Sequence, residues 1–118
     1  MSILGVLRPD PFSALLGTGF ERFESPTGLH GLARTSGKRL DLLAVNATKP
    51  GSGQFRAFIA QAKREFETIC VWEVWNPLLD LVLPRYGFRY YEEADARTGE
   101  PLAGYRYDAG RSSPEEGG

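Results

Sequence analysis

One short stretch, Lys49-Pro50-Gly51-Ser52-Gly53, combines residue types that suit phosphate binding. Its two glycines let the backbone bend and approach a ligand closely, and Lys49 supplies a positive charge. Where such a turn precedes a helix, free backbone N–H groups point at the ligand. The stretch therefore predicts a phosphate-binding turn. The alternative is a strand–loop–helix connection without a ligand, because a short Gly-x-Gly pattern has low specificity.

Glu73 is the second residue whose position suggests chemistry. It is the one charge in a strongly strand-like run of β-branched and aromatic residues, Ile69–Trp75. A carboxylate in such a strand lies either at the open end of the sheet or in a pocket, where it can act as a general base. The alternative is an edge-facing surface glutamate without a chemical role.

The single histidine and the single cysteine argue against two other kinds of site. His30 has no second histidine with which to form a metal site or a catalytic dyad, so a structural or solvent-facing role is favoured. One cysteine builds neither a disulfide framework nor a Cys-based metal cluster. Cys70 lies in an apolar run and is interpreted as a small buried hydrophobic residue in a reducing compartment. No metal is expected.

The elements that flank the turn would hold it and Glu73 at one end of a sheet. The segment Leu40–Val45 is nearly continuous in apolar residues, as in a strand with both faces covered. The segment Gln54–Phe66 has its apolar residues on one helical stripe, which predicts an amphipathic helix. We predict that this helix joins two strands, Leu40–Val45 and Ile69–Trp75, that lie side by side and parallel.

The remaining segments predict three antiparallel strands before the turn and a helix and a hairpin after it. Three strand-like segments within Gly19–Val45 are separated by tight turns. A capping residue followed by proline occurs at Asp10-Pro11 and again at Asn76-Pro77, so a short helix is expected to begin at each. The sequences FRYYEE and LAGYRYD predict the final hairpin.

The length and the charge balance limit the class of protein. A chain of 118 residues with 42% hydrophobic content suffices for one domain with one core, assigned to residues 1–109. The segment 110–118 lacks apolar anchors and is interpreted as a disordered tail. Fourteen basic and fifteen acidic residues give a net charge of −1, which disfavours nucleic-acid and anionic-membrane partners. No apolar run reaches the roughly 18 residues that span a bilayer, so a cytoplasmic protein is expected.

The order of these elements resembles that of the GNAT superfamily of N-acetyltransferases, over about Gly19–Tyr107. The most specific likeness is the sequence NPLLDLVLPRYGF. It has Asn76 and Gly87-Phe88 at the spacing of a typical segment of that family, and Leu83 stands where the family has a tyrosine.

The central segments are also similar to that family. Ala44-Val45, followed by the two glycines of the turn, is similar to its strand end and phosphate loop, and WEV around Glu73 is similar to its Leu-Glu-Val. The resemblance implies an α/β (α+β) fold with a mixed, mostly antiparallel central sheet flanked by helices. It also implies one parallel strand pair and a C-terminal hairpin.

The resemblance implies direct acyl transfer from acetyl-CoA or another acyl-CoA, as co-substrate, to an amine. The pyrophosphate would bind the backbone of Gly51–Gly53, and the pantetheine arm would lie along Leu43–Val45, with a backbone N–H near Val45 on the thioester carbonyl. Glu73 would act as the base. Tyr86 would donate the proton that the family's tyrosine donates. The implied cofactor-binding residues are Ala44, Val45, Lys49, Gly51, Ser52, Gly53 and Asn76.

Two classes of function therefore stay open. The first is a minimal N-acyltransferase without the usual catalytic tyrosine. The second is a catalytically inactive GNAT-like module for protein interaction or assembly, of the kind that small phage structural or accessory proteins use. For this second class an exposed aromatic contact patch would be drawn from Trp72, Trp75, Tyr90, Tyr91, Tyr105 and Tyr107. Single-stranded nucleic-acid binding on those aromatics is disfavoured, because basic residues do not cluster with them.

Overall fold

The structure, a computed structural model, describes residues 2–49, 51–74, 77–95 and 98–109. These residues form a mixed α+β fold around one seven-stranded sheet. None of the helices in this part of the chain has the length and apolar content needed to cross a bilayer. The strands are β1 (Val6–Pro9), β2 (Glu21–Glu24), β3 (Leu29–Ser36), β4 (Arg39–Ala47), β5 (Thr68–Trp72), β6 (Arg89–Ala94) and β7 (Pro101–Asp108). The helices are α1 (Pro11–Leu16), α2 (Gln54–Glu65) and α3 (Pro77–Val82), and a 3-10 turn (Pro84–Tyr86) follows α3.

The sheet has the strand order β1-β2-β3-β4-β5-β7-β6. The strands β2, β3 and β4 pair antiparallel, as predicted for segments joined by tight turns. The strands β4 and β5 lie side by side and parallel, which confirms the predicted pairing of the strands that α2 connects. The C-terminal hairpin is also confirmed, and its second strand, β7, lies between β5 and β6. The sheet is therefore mostly antiparallel with one parallel pair.

The hydrophobic core lies on one face of the sheet, against α2. In β4, Leu40 and Leu42 are fully buried in this core. Because side chains alternate along a strand, Asp41 and Leu43 point to the opposite face. The stripe predicted for α2 is the side of the helix that packs on the sheet, and its buried residues are Phe58, Ile59 and Ala62.

Asp41 organises a polar cluster on the second face of the sheet. Its carboxylate accepts a hydrogen bond from the Trp72 indole Nε1 at 2.8 Å. It also forms ion pairs with Arg39 at 3.0 Å and with Arg34 at 3.6 Å. A carboxylate with 3% of its surface exposed needs such partners, because an unpaired buried charge is strongly destabilising. The cluster holds Trp72 in place at the end of β5.

A β-bulge bends β4 near its end. Between the pairs His30–Asn46 and Leu32–Leu43, two residues of β4 face one residue of β3. One of the two, Ala44, has a left-handed backbone with φ 55°. Such a bulge kinks the strand that carries the extra residue. The end of β4 therefore leaves the direction of its parallel partner.

The residue of β3 that faces the bulge, Gly31, has to be a glycine. A Cβ atom at Gly31 would lie 2.7 Å from the carbonyl oxygen of Ala44, closer than real Cβ contacts allow. A side chain on β3 would therefore push the bulge away. The close approach of the two backbones fixes the place at which β4 bends.

The strand β5 is shorter than predicted. It ends at Trp72, so Glu73 lies directly after the strand and not within it. Glu73 has φ 49°, and its N–H donates to the carbonyl oxygen of Ala103 in β7 at 2.9 Å. The chain turns at this residue, which ends the strand. Trp75, Asn76 and the expected tail 110–118 lie outside the described residues.

Candidate functional site

A cleft opens at the end of the parallel strand pair. The register of β4 and β5 runs as far as Leu43 opposite Trp72. The residues that follow, Ala44 in β4 and Glu73 directly after β5, have left-handed backbones, and at this point the chain encloses a cavity of about 570 Å³. Its walls are Leu43, Ala44, Val45 and Asn46 on one side, Val71, Trp72, Glu73 and Val74 on the other, and Leu79 of α3. The structure therefore brings three of the predicted site residues, Ala44, Val45 and Glu73, to one cleft.

The glycine turn forms the start of α2, as predicted. Gly51 and Gly53 both have left-handed backbones, with φ 84° and 86°, and a Cβ atom at either would meet nothing within 4 Å. Within the described residues, the N–H groups of Phe55 and Arg56 have no hydrogen-bond acceptor. Free N–H groups in a first helical turn carry a partial positive charge that attracts anions.

Ser52, predicted among the cofactor-binding residues, is hydrogen-bonded within the turn. Its N–H and its hydroxyl both donate to the carbonyl oxygen of Lys49, at 3.2 Å and 2.6 Å. Both donors of Ser52 are therefore engaged inside the turn, where they stabilise the loop. The N–H groups that have no acceptor among the described residues, those of Phe55 and Arg56, lie one turn further along, in α2.

Gln54 holds the turn against the rest of the fold, and the sequence did not single it out. Its side-chain oxygen accepts from the backbone N–H of Lys49 at 2.8 Å, and its amide nitrogen donates to the Thr48 hydroxyl at 3.1 Å. Gly28, where a Cβ atom would meet that nitrogen, has φ 101°, a backbone conformation that favours glycine. No motif marks this role in the sequence, because it depends on how the turn folds back on Thr48 and Lys49.

A second cavity, of about 360 Å³, lies beside the glycine turn. It is lined by Lys49, Gly51, Gly53 and Arg56, and by apolar residues of α2 and α3. No acidic residue is among its described lining residues. It shares Val45, Asn46 and Leu79 with the cleft, so the two cavities are adjacent. The lining therefore changes from cationic at the glycine turn to apolar where β4 and β5 part.

Glu73 lies at the mouth of the cleft, at the open end of the sheet. Its side chain is exposed and, within the described part of the chain, has no ion-pair or hydrogen-bond partner. It lines the cleft on the core side and a further cavity on the second face of the sheet. Of the two placements considered for this carboxylate, the structure has the one at the end of the sheet.

Tyr86 lines the second cavity, in the 3-10 turn after α3. Its ring centroid is 6.2 Å from that of Phe55 in the first turn of α2. Its backbone carbonyl accepts a hydrogen bond from Lys63 Nζ, and burial lowers the pKa of that lysine. Tyr86 therefore faces the glycine turn, whereas Glu73 faces the cleft, and the shared wall residues lie between them.

Leu83, in contrast, is fully buried in the core and lines none of these cavities. A tyrosine hydroxyl at this position would be buried rather than presented to the cleft. The 3-10 turn that begins at Pro84 carries Tyr86 to the cavity instead, because proline disfavours continuation of the helix.

We expect Leu83→Tyr to destabilise the protein by roughly 1–3 kcal/mol, because it forces a larger polar side chain into a filled core position. Urea denaturation followed by circular dichroism measures this loss. Val82→Tyr is the matched control, since Val82 is half-buried and lines the second cavity. It should lose less stability. Equal unfolding midpoints for Leu83→Tyr and wild type would contradict the assignment of Leu83 to the core.

Five of the aromatic residues from which an exposed contact patch was expected to be drawn are described, and they differ in exposure. Trp72 is 4% exposed and packs against Tyr91, with the ring centroids 6.0 Å apart. Tyr90 is largely exposed, and Tyr91, Tyr105 and Tyr107 are half-buried. These rings mainly serve packing within the sheet.

The remaining predictions concern one cysteine and one residue that is not described. Cys70 is fully buried, and burial raises the pKa of its thiol to about 11, as expected for a structural cysteine. Asn76, predicted among the cofactor-binding residues, lies outside the described residues. The sequence did not predict three residues that line the cavities, Asn46, Leu79 and Arg56, as site residues.

Comparison of the chain with protein-family models, with curated proteins and with solved structures finds no match. The interpretation of the site therefore depends on its own geometry and chemistry.

Proposed function

We propose that the chain is a GNAT-like acyl-CoA-dependent N-acyltransferase, which transfers an acetyl or other acyl group to an amine. One observation carries the proposal: a cation-lined cavity at the glycine turn adjoins a cleft between two parting parallel strands, and that cleft is lined by a carboxylate with no partner among the described residues. Acyl-CoA carries a diphosphate, a connecting arm and a reacting thioester in this order, and each part requires a different environment. The diphosphate needs cations and N–H donors, the connecting arm needs a strand edge, and the reacting end needs a base.

The glycine turn fits the diphosphate of acyl-CoA. Lys49 and Arg56 line its cavity with two positive charges, and the N–H groups of Phe55 and Arg56 add the positive end of α2. The glycines leave space for a close approach, because no atom lies where their Cβ atoms would be. The bent end of β4, at Ala44 and Val45, would receive the pantetheine arm through backbone hydrogen bonds.

The reaction is a direct transfer. The amine nitrogen attacks the thioester carbonyl carbon, a C–N bond forms, and the C–S bond breaks to release the CoA thiolate. Glu73 accepts the proton that the amine loses, and Tyr86 donates a proton to the thiolate. The backbone N–H of Val45 stabilises the charge that develops on the carbonyl oxygen. Tyr86 can donate this proton only if the sulfur atom of CoA lies along the wall that the two cavities share.

Two strained residues support the assignment of the reaction to this cleft. Among the described residues other than glycine, only Ala44 and Glu73 have positive φ angles. Such conformations cost on the order of 1–3 kcal/mol and are concentrated at functional sites. Both occur where β4 and β5 part, and neither is required for the pairing of those strands.

Isothermal titration calorimetry with acetyl-CoA tests the proposal. We expect saturable binding with one site per chain, competition by CoA, and weaker binding at high salt because the phosphate contacts are ionic. Release of free thiol in the presence of a panel of amines then tests transfer. The absence of heat with acetyl-CoA, CoA and a longer acyl-CoA would contradict the proposal.

One observation favours the second candidate, an inactive GNAT-like module for protein interaction or assembly. The short helix α1 exposes Phe12 and Leu15, at 68% and 81%, while Ser13 is its only buried residue. An exposed apolar helix face is typical of a protein contact. CoA binding without transfer to any amine of the panel, or no CoA binding at all, would favour this module over the enzyme.

A further inference from the structure

The exposed apolar side chains of the protein are concentrated at one edge of the sheet. Seven large hydrophobic side chains are exposed in the described part of the chain, and five of them belong to β1 and α1. These five are Val6, Leu7, Phe12, Leu15 and Leu16. The helix α1 begins two residues after β1 ends and, with six residues, is about 9 Å long. The five side chains therefore form one region, the β1–α1 surface.

The strand β1 has a free edge. It is the first strand of the sheet and, among the described strands, pairs with β2 alone. Edge strands commonly carry charged side chains that oppose pairing with another chain. The strand at the opposite edge, β6, has three such charges, Arg89, Glu92 and Glu93, whereas β1 has one, Arg8. The edge of β1 is therefore the better suited of the two to pair with a further strand.

The β1–α1 surface is large enough for a stable contact. Its five apolar residues expose on the order of 400–600 Å², at about 150–200 Å² for a large side chain that is fully exposed. One side of a standard protein interface buries about 800 Å², of which roughly 56–65% is apolar. The exposed apolar area thus matches the apolar share of one such side.

The two faces of β1 restrict how a second copy can pair with it. Leu7 lies opposite Phe23 of the core, so Val6 and Arg8 lie on the second face of the sheet. A twofold axis perpendicular to the sheet pairs only residues that share a face, so in an antiparallel β1–β1 pair it passes through Leu7 or Arg8. An axis at Arg8 would place two arginines opposite each other, which is unfavourable. An axis at Leu7 pairs the two leucines and places Arg8 of one copy opposite Val6 of the other.

Glu24 supplies the opposite charge in this register. It faces Val6 across β1 and β2, so it lies in the same row as Arg8 of the second copy, two strands away. Two strand spacings are about 10 Å, which extended arginine and glutamate side chains together can span. Both side chains are exposed, and neither has an ion-pair or hydrogen-bond partner within the described residues. The twofold axis would form this ion pair twice.

We propose that two copies of this chain associate through the β1–α1 surface, by antiparallel pairing of their β1 strands about Leu7. The two sheets then form one continuous sheet, and α1 of each copy lies beside the start of β1 of the other. The proposal goes beyond the acyltransferase function and does not depend on it. The strands β2 and β3 separate β1 from β4, so the pairing leaves the cleft at the end of β4 open.

Sedimentation equilibrium of the purified chain, over a series of concentrations, tests the proposal. We expect wild type to form a dimer of the 13.1-kDa chain. Leu7→Lys brings two ammonium groups together at the axis and should raise the dissociation constant by about 100-fold or more. Leu81→Lys is the matched control, because it places the same charge at an exposed leucine of α3, outside the surface. It should leave the dissociation constant unchanged.

Exchange of the two charges tests the register itself. Arg8→Glu and Glu24→Arg should each weaken the dimer about tenfold, since each replaces two attractive pairs by two repulsive ones. The double variant Arg8→Glu/Glu24→Arg should recover the wild-type dissociation constant. Both residues are exposed, so these variants should keep the thermal midpoint of wild type.

Three results would overturn the proposal. Wild type that stays monomeric at every concentration would leave the surface to a different protein. A dimer that Leu7→Lys and Leu81→Lys weaken equally would form elsewhere or respond to overall charge. A double variant that remains as weak as the single variants would show that Arg8 and Glu24 do not meet across the axis.

Discussion

Gly53→Glu should abolish measurable binding of acetyl-CoA while leaving the chain folded. Gly53 precedes α2, and nothing lies within 4 Å of the place where its Cβ would be, so the new side chain extends toward the cavity of Lys49 and Arg56. A carboxylate there neutralises one of the two cations and opposes the diphosphate. Like charges brought together in a binding site cost several kcal/mol, so a loss of roughly 100-fold or more in affinity is expected. Calorimetry with acetyl-CoA measures it.

Backbone strain has to be separated from charge in this experiment. Gly53 has φ 86°, which any side chain disfavours. Gly53→Ala introduces the strain without the charge, and it should retain most of the affinity. Gly37→Glu introduces both at the turn between β3 and β4, where φ is 59° and nothing lies within 4 Å. The stability of Gly37→Glu should match that of Gly53→Glu, and its affinity for acetyl-CoA should match that of wild type. If Gly53→Glu binds acetyl-CoA like wild type, the glycine turn is not the phosphate site.

The parallel pair and the helix between its strands could be predicted because their signals are local. The apolar run of β4 and the 3,1,3,4 spacing of apolar residues in α2 appear in the sequence itself. A glycine turn between them marks the start of the helix. The fold class therefore follows from periodicity and turn residues, and the structure has the strand pairing that they predict.

The shape of the cleft could not be predicted in the same way. Nothing about Ala44 in the sequence indicates a left-handed backbone, since alanine is rarely found there. The bulge depends on the contact between Ala44 and Gly31 across two strands, which exists only after the strands pair. The early end of β5 has a similar cause, because the N–H of Glu73 bonds to β7, which follows it in sequence by about thirty residues.

The cavity that Glu73 lines on the second face of the sheet could not be predicted for a further reason. Its carboxylates come from the end of β5 and the end of β6, and its cation comes from β3. No two of these segments are adjacent in sequence, so no motif joins them. Asp41 had a local signal, a charge inside the apolar strand β4. A buried aspartate of that kind predicts a polar cluster on one face of the sheet.

Glu73→Gln should lower turnover by roughly 10²–10⁴-fold with little change in affinity for acetyl-CoA, the range in which a positioned general base contributes to catalysis. The amide cannot accept the proton that the amine loses. Glu73 does not line the cavity at the glycine turn, so the diphosphate contacts are unaffected. The side chains are isosteric, and the left-handed backbone of residue 73 is equally strained in both. The loss should therefore appear in kcat, because the proton is transferred in the transition state.

Glu100→Gln is the matched control for this variant. Glu100 is exposed, precedes β7 and lines none of the cavities described above, so its replacement should leave turnover unchanged. Turnover has to be measured over a panel of amines, since a poor acceptor would conceal the difference. A kcat for Glu73→Gln within about twofold of wild type, with the best acceptor of the panel, would show that Glu73 is not the base. The proton would then have to leave by way of solvent, and the unpartnered carboxylate at the mouth of the cleft would serve amine binding alone.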